Sequence, residues 1–342
     1  MKYSFANDYA EGCHPSILEE LVVSNFDQQQ GYGCDSHTQS AVAAIRMRIH
    51  DPSAAVHFVS GGTQANLVVL SSMLRPFESV AAATTGHIYT NESGAIEATG
   101  HKVEAVPTAG GKLCPDDIKP LLNKARGHHA VRTRAVYISN ATELGTIYTY
   151  KELSDLYIFC KENDLLLFMD GARLPMALAA GGGDMSLTDI AALTDVFYLG
   201  GTKCGALLGE AIVITNEELK KDFEYHLKQR GALMAKGRTI GVQFDCLLRN
   251  DLIFRLAAHA NKMAGKLSEA FRAQGFPMLV DSPTNQIFPI LPNKLVAALH
   301  QNYEFLDWQT VDNQHTAIRF ITSWATPEEA VDECIEDLSR LV

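Results

Sequence analysis

Seven short apolar runs mark the first two thirds of the chain, at residues 56–60, 80–84, 102–106, 135–139, 165–169, 196–199 and 211–215. Each is four or five residues long, which is the length of a strand rather than a helix. Between them lie helical patterns at 15–25 (with Pro15 in the first turn), 36–50, 64–74, 116–125 and 150–163. Strands that alternate with helices predict an α/β fold, with a mostly parallel sheet wrapped by helices on both faces. The texture changes near residue 246. A long helix over 251–274 is followed by strand-like 286–291 and 317–321 and a closing helix over 327–341. This predicts a large domain with an N-terminal arm over 1–245 and a smaller α+β domain over 246–342.

The 342 residues are 46% hydrophobic and 20% charged, enough to bury a sizeable core. The formal net charge of −11 argues against a nucleic-acid binder, although one local basic pocket for a small anion is compatible with it. No apolar run approaches the roughly 20 residues that span a bilayer, and the N-terminus carries no apolar signal region. Seven scattered cysteines, with no C-x-x-C pair, suit free thiols in a reducing compartment. Together these features predict a cytoplasmic protein. Cys34-Asp-Ser-His37 has no second half that would make a zinc site, so no metal is expected.

Two polar residues stand at the ends of apolar runs. Asp170 follows Leu-Leu-Leu-Phe-Met, and Lys203 lies 33 residues later in Leu-Gly-Gly-Thr-Lys-Cys-Gly. A carboxylate and a lysine at one sheet edge are what pyridoxal phosphate (PLP) requires. The amine forms the Schiff base, and the carboxylate keeps the pyridine nitrogen protonated so that the ring draws electrons. Ser60-Gly-Gly-Thr-Gln-Ala-Asn66 joins a strand to a helix and reads as a phosphate cradle, through close backbone approach and a helix N-terminus. It fits neither G-x-G-x-x-G nor a P-loop, which weighs against a nicotinamide-dependent oxidoreductase. His87, after a strand, is placed to lie on an aromatic cofactor or move protons. Arg173 is placed to balance Asp170 or grip a carboxylate, and Arg319, inside an apolar strand, needs an anionic partner if it points inward.

Along most of its length the chain resembles the low-specificity L-threonine aldolase family, within the β-eliminating lyases and the PLP enzymes of aspartate-aminotransferase fold. The resemblance implies fold type I, with a seven-stranded sheet. It implies that Lys203, in Gly-Gly-Thr-Lys after Thr202, is the PLP lysine. Asp170 and Arg173, in Asp-Gly-Ala-Arg, match the partner of the pyridine nitrogen and a contact to the substrate carboxylate or the ring. Gly62 and Thr63, with Gly61 and Gln64 beside them, match the phosphate loop; His87 matches the histidine that stacks on the ring; Arg319 matches the arginine for the α-carboxylate. Tyr32 and Lys236 match residues that serve a neighbouring subunit, which implies a homodimer or homotetramer with shared sites. Where many members read Ser-Asp, this chain reads Asn7-Asp8, and Asn7 is expected to contact the substrate carboxylate. A second active-site histidine of the family is matched by Thr142 in Ser139-Asn-Ala-Thr-Glu. The lysine motif also departs from the commoner Ser-Lys-Gly-Leu, the mark of a side branch.

The implied reaction cleaves a β-hydroxy-α-amino acid, L-threonine or L-allo-threonine, to glycine and an aldehyde, with His87 the candidate base for the β-hydroxyl. Two other readings stay open. One is a β-eliminating or phenylserine-type carbon–carbon lyase acting on a bulkier amino acid. The other is a protein that binds PLP or another phosphate without turnover.

Overall fold

The computed structural model describes residues 1–123, 127–181 and 183–342. Its strands in chain order are β1 (Tyr3–Ser4), β2 (Ala55–Val59), β3 (Glu78–Ala83), β4 (Lys102–Val106), β5 (Arg132–Ser139), β6 (Leu166–Asp170), β7 (Val196–Gly200), β8 (Glu210–Ile214), β9 (Gln286–Ile287), β10 (Ile290–Pro292), β11 (Tyr303–Glu304), β12 (Leu306–Thr310) and β13 (His315–Ile321). Seven of them form one sheet in the order β2-β8-β7-β6-β5-β3-β4. All neighbours pair in parallel except β8, which is antiparallel to both β2 and β7. All seven strands expected from the apolar runs belong to this sheet.

The sheet is buried on both faces, as its continuous apolar strands require. Side chains alternate between two cores. Ala81 and Ala83 of β3 and Leu167 and Met169 of β6 enter one, packed by the helices Ser36–Ile49, Tyr150–Glu162 and Arg238–Leu248. Val80, Ala82, Leu166 and Phe168 enter the other, under the helices Gly62–Met73 and Phe223–Gln229. The last two residues of the helix expected over 116–125 lie outside the described residues; its described part is Pro115–Asn123.

A third core lies C-terminal, beneath an antiparallel sheet of β10, β13 and β12 with β9 also on β13. The strand expected over 286–291 is two short strands. Pro289 sits between them and has no N–H for the ladder; its carbonyl accepts from Ile318 N–H at 3.0 Å instead. The division expected at 245/246 falls inside the helix Arg238–Leu248. The N-terminal arm packs on the C-terminal layer, because β1 pairs with β11 and Phe5 stacks on Phe320. Among the described residues no helix is long and apolar enough to cross a membrane.

Candidate active site

Strand register gathers the polar residues at one edge. Ser139 at the end of β5 pairs with Asp170 at the end of β6. Gly200 at the end of β7 pairs with Glu210, which also pairs with Val59 at the end of β2. Because β8 runs antiparallel, its first residue arrives where the parallel strands finish. That carboxyl edge is where open α/β sheets bind ligands. Lys203 lies three residues beyond Gly200.

The two motifs interlock there. Gly200 N–H donates to the Gly171 carbonyl at 3.0 Å. A Cβ on Gly171 would run into the Tyr198 carbonyl, and one on Gly200 into that of Ala172, so only glycine permits the approach. Thr202 closes the turn, accepting from Gly209 N–H on Oγ1 at 3.0 Å and donating its own N–H to the Gly209 carbonyl at 3.1 Å.

A cavity of about 200 Å³ opens at this edge. Gly61, Gly62 and Thr63 line it where the helix Gly62–Met73 begins, and His87, Asp170, Arg173, Thr202 and Lys203 line the rest. Gln64 turns back instead, its Oε1 accepting from the Ser60 N–H and hydroxyl at 3.0 and 2.8 Å. Asn7 Oδ1 accepts from Tyr9 N–H at 3.0 Å. Tyr32 and Lys236 do not line this cavity. They share another patch of surface, where Tyr32 N–H donates to the Ala235 carbonyl at 3.1 Å and Lys228 Nζ lies 4.7 Å from the Tyr32 ring centre.

Asp170 is 4% exposed. Burial pushes its carboxyl up, but charge from His87 and hydrogen bonds from Tyr137 and Tyr198 outweigh that and hold it below its usual value. Its Oδ2 accepts from Tyr137 Oη at 2.6 Å and Asn66 Nδ2 at 3.1 Å; its Oδ1 accepts from Tyr198 Oη and from Ala172 N–H at 3.0 Å. Burial depresses the Lys203 ammonium, and Arg173 repels it further. The lysine is therefore biased toward its neutral, nucleophilic form. Burial pulls His87 down, but the hydrogen bond to Glu92 and the charge of Asp170 raise it overall; its Nδ1 lies 2.8 Å from Glu92 Oε1. Burial forces Glu210 up to about 8, and its Oε2 accepts from Gly201 N–H at 3.0 Å.

Arg173 meets an acid that the spacing does not flag. Asp8 is fully buried and accepts from Arg173 Nε at 2.7 Å and Nη2 at 3.0 Å, with Asn285 Nδ2 at 2.9 Å. Burial raises the Asp8 carboxyl, and Arg173 and Lys203 bring it below its ordinary value. Arg319 has no acid partner among the described residues. Its guanidinium lies 4.8 Å from the Trp308 ring centre, and its buried Nε has no hydrogen bond. Burial and then the charge of Arg173 push it down to about 10.

Thr142 is a different matter from what the sequence suggests. It is fully buried, and its hydroxyl shares a 2.7 Å hydrogen bond with Thr146 Oγ1 while accepting from Leu144 and Thr146 N–H, so it builds the turn after β5. Ser139, Ala141 and Glu143 of this segment line the cavity, and Glu143 is its one ionisable side chain there. Asp8, Asn66, Glu92, Tyr137, Glu143, Tyr198 and Glu210 all escape sequence reasoning. Their one signal is a polar group within an apolar or glycine-rich stretch, and nothing in the spacing says which of these point inward.

A family model described as beta-eliminating lyase matches residues 13–320. The chain is 33% identical to a low specificity L-threonine aldolase of Pseudomonas aeruginosa, over 99% of this chain and 97% of that protein. A solved structure of a Leishmania major threonine aldolase matches with a TM-score of 0.98 at 47% identity, over 99% of each chain. An aspartate aminotransferase from Thermus thermophilus matches with a TM-score of 0.70 over 99% of this chain and 91% of that one; at 16% identity it shows the common fold alone. The chain, from its helix-wrapped mixed sheet to the lysine and aspartate at the sheet's carboxyl edge, belongs to the beta-eliminating lyase family.

Proposed function

We propose that this chain is a PLP-dependent aldolase that cleaves L-threonine or L-allo-threonine to glycine and acetaldehyde. The observation that carries the reading is the meeting of Lys203 and the buried Asp170 in one cavity at the carboxyl edge.

The residues present fit the cofactor. Gly61, Gly62 and Thr63 stand at the start of the helix Gly62–Met73, where N–H groups have no partner within the helix, and a Cβ on Gly62 would stand 2.9 Å from Tyr198 Oη. Lys203 makes no hydrogen bond or ion pair among the described residues that would compete with a carbonyl carbon. Bound PLP supplies an aldehyde for the lysine and a ring that draws electrons from the amino-acid carbon. Asp170 would hold a proton on the pyridine nitrogen, and Tyr137, Tyr198 and Asn66 hydrogen-bond that carboxylate. His87 would contact the ring, with Glu92 orienting its imidazole. Arg319, half-buried with an Nε that has no partner among the described residues, takes the substrate carboxylate together with Arg173, whose Nε and Nη2 are fixed by Asp8. Two guanidinium groups within electrostatic reach of each other suit one shared anion.

The working unit is a homodimer or homotetramer in the cytoplasm, in which Tyr32 and Lys236 serve a neighbour's site. Their shared place outside this chain's own cavity supports that reading, and the seven free thiols suit a reducing compartment. The test is acetaldehyde release from L-threonine and from L-allo-threonine by purified, PLP-loaded protein. Release from either supports the aldolase. Release from neither, with pyruvate or an aromatic aldehyde formed from other amino acids, replaces it with β-elimination or phenylserine-type cleavage.

A further inference from the structure

A retro-aldol cleavage needs a group that takes the proton from the β-hydroxyl. The titratable residues lining the cavity are Tyr9, His87, Glu143, Asp170, Arg173, Tyr198, Lys203 and Glu210. Most are already engaged. Asp170 accepts from both tyrosines and is reserved for the pyridine nitrogen. Tyr198 donates to Asp170. Arg173 is clasped by Asp8, and Lys203 is the Schiff-base amine. Tyr9 is 59% exposed, too wet for a tuned base. His87 is held through Nδ1 by Glu92 Oε1 at 2.8 Å and is assigned to the cofactor ring. Glu210 is bonded to Gly201, in the turn that carries Lys203, and belongs with the lysine.

Glu143 remains. It is 9% exposed and sits on the segment after β5 that is fastened to the substrate-binding residues. Asn140 N–H donates to the Asp170 carbonyl at 3.0 Å, and Ala141 N–H to the Arg173 carbonyl at 3.5 Å. Its Oε1 accepts from His87 N–H at 2.9 Å and from Ser139 Oγ at 2.8 Å. Among the described residues both bonds end on Oε1, so Oε2 remains for a group in the cavity that Glu143 lines. The nearby charged or titratable groups are Asp170, His87, Arg173 and Tyr137.

We propose that Glu143 is the general base that removes the β-hydroxyl proton, a role that rests on the aldolase reading above. The O–H proton passes to Glu143 Oε2. The oxygen lone pair so released closes the aldehyde C=O as the Cα–Cβ bond breaks, and the bonding pair stays with the amino-acid carbon. One proton added to that carbon gives glycine and balances the one removed from oxygen, so no oxidant or reductant enters. Burial and the nearby Asp170 charge make the Glu143 carboxylate more basic than an ordinary glutamate, which suits the task.

Glu143→Gln keeps an acceptor for His87 N–H and Ser139 Oγ. The expected result is a fall of about 10²–10⁴-fold in kcat for aldehyde release, with PLP absorbance and glycine binding followed by spectral titration unchanged. Exchange of glycine's α-proton with deuterated water, followed by NMR, needs no β-hydroxyl base and should persist. Glu143→Asp should recover part of the aldehyde release. A fall in release of less than about tenfold, or an equal fall in α-proton exchange, overturns the proposal in favour of a dispensable or merely structural residue. Wild-type protein that exchanges glycine's α-proton but releases no aldehyde overturns the aldolase reading itself, and this role with it.

Discussion

Asp170 stays ionised deep in the protein because the charge of His87 and four donors converging on its two oxygens together outweigh burial. Lys203 is the converse case, a cation that burial and Arg173 push toward neutrality. Lys203→Ala should therefore abolish any borohydride-reducible bond to PLP while leaving noncovalent binding; a reducible adduct in the variant would sink the lysine's role. Glu210 offers a pH test on the apoprotein. Its folded value of about 8 lies above the ordinary 4.5, so the folded state binds the extra proton. Its contribution is fully present below about pH 4.5 and is lost as the pH rises through about 8. Glu210→Gln can still accept from Gly201 N–H, so its unfolding temperature relative to wild type should climb across that window. A flat difference would mean that Glu210 is ionised in the folded protein throughout.

At the scale of elements, the helix Arg238–Leu248 lies tightly against the helix Ser36–Ile49. A Cβ on Gly241 would collide with Thr38 Oγ1 and stand 2.8 Å from the Thr38 backbone nitrogen. Thr38 cannot simply yield, because Asp35, at the N-cap, accepts from its N–H at 2.8 Å and its hydroxyl at 2.7 Å. Gly241→Ala should cost about 1–3 kcal/mol, read as a lowered urea midpoint; an unchanged midpoint would show that the helices separate freely. The amphipathic and apolar patterns reveal most elements to within a residue or two. The expected 36–50 is Ser36–Ile49, and the expected 251–274 is Leu252–Ala273. Elements without such a pattern escape, among them the helix Phe223–Gln229 and the largely exposed β12. In β12 only Trp308 is even partly covered, and five residues of Leu-Asp-Trp-Gln-Thr are too short and polar a run to stand out.

For the whole molecule, Asp8 is a pin. It ties the N-terminal arm to Arg173 after β6 and to Asn285 before β9. Asp8→Ala leaves Arg173 buried without its acid, and a loss of about 3–5 kcal/mol is expected in unfolding. A variant as stable as wild type would mean that Arg173 finds water or another acid. The outer surface carries its own message. Val22, Val23 and Phe26 are 74%, 78% and 93% exposed, and Met47 is 69% exposed. Apolar side chains left in water on this scale are expected to be covered by another copy. Phe26→Asp should shift the sedimenting species to lower mass, and an unchanged mass would place the interface elsewhere.

Local chemistry was enough for the sequence to determine the alternating strands and helices, the lysine, aspartate and glycine motifs, and through them the family. Strand length, helix period and motif spacing all act over a few residues, and they can be read along the chain. The tertiary structure alone decided which polar groups share the cavity. Asp8 meets Arg173 across 165 residues and Asn285 across 277. Glu210 reaches the carboxyl edge only because β8 runs against its neighbours. The turn after β5 buries the Thr142 hydroxyl and presents Glu143 to the cavity instead. One position along a turn reverses which side chain faces inward, and only packing of the whole chain settles that choice.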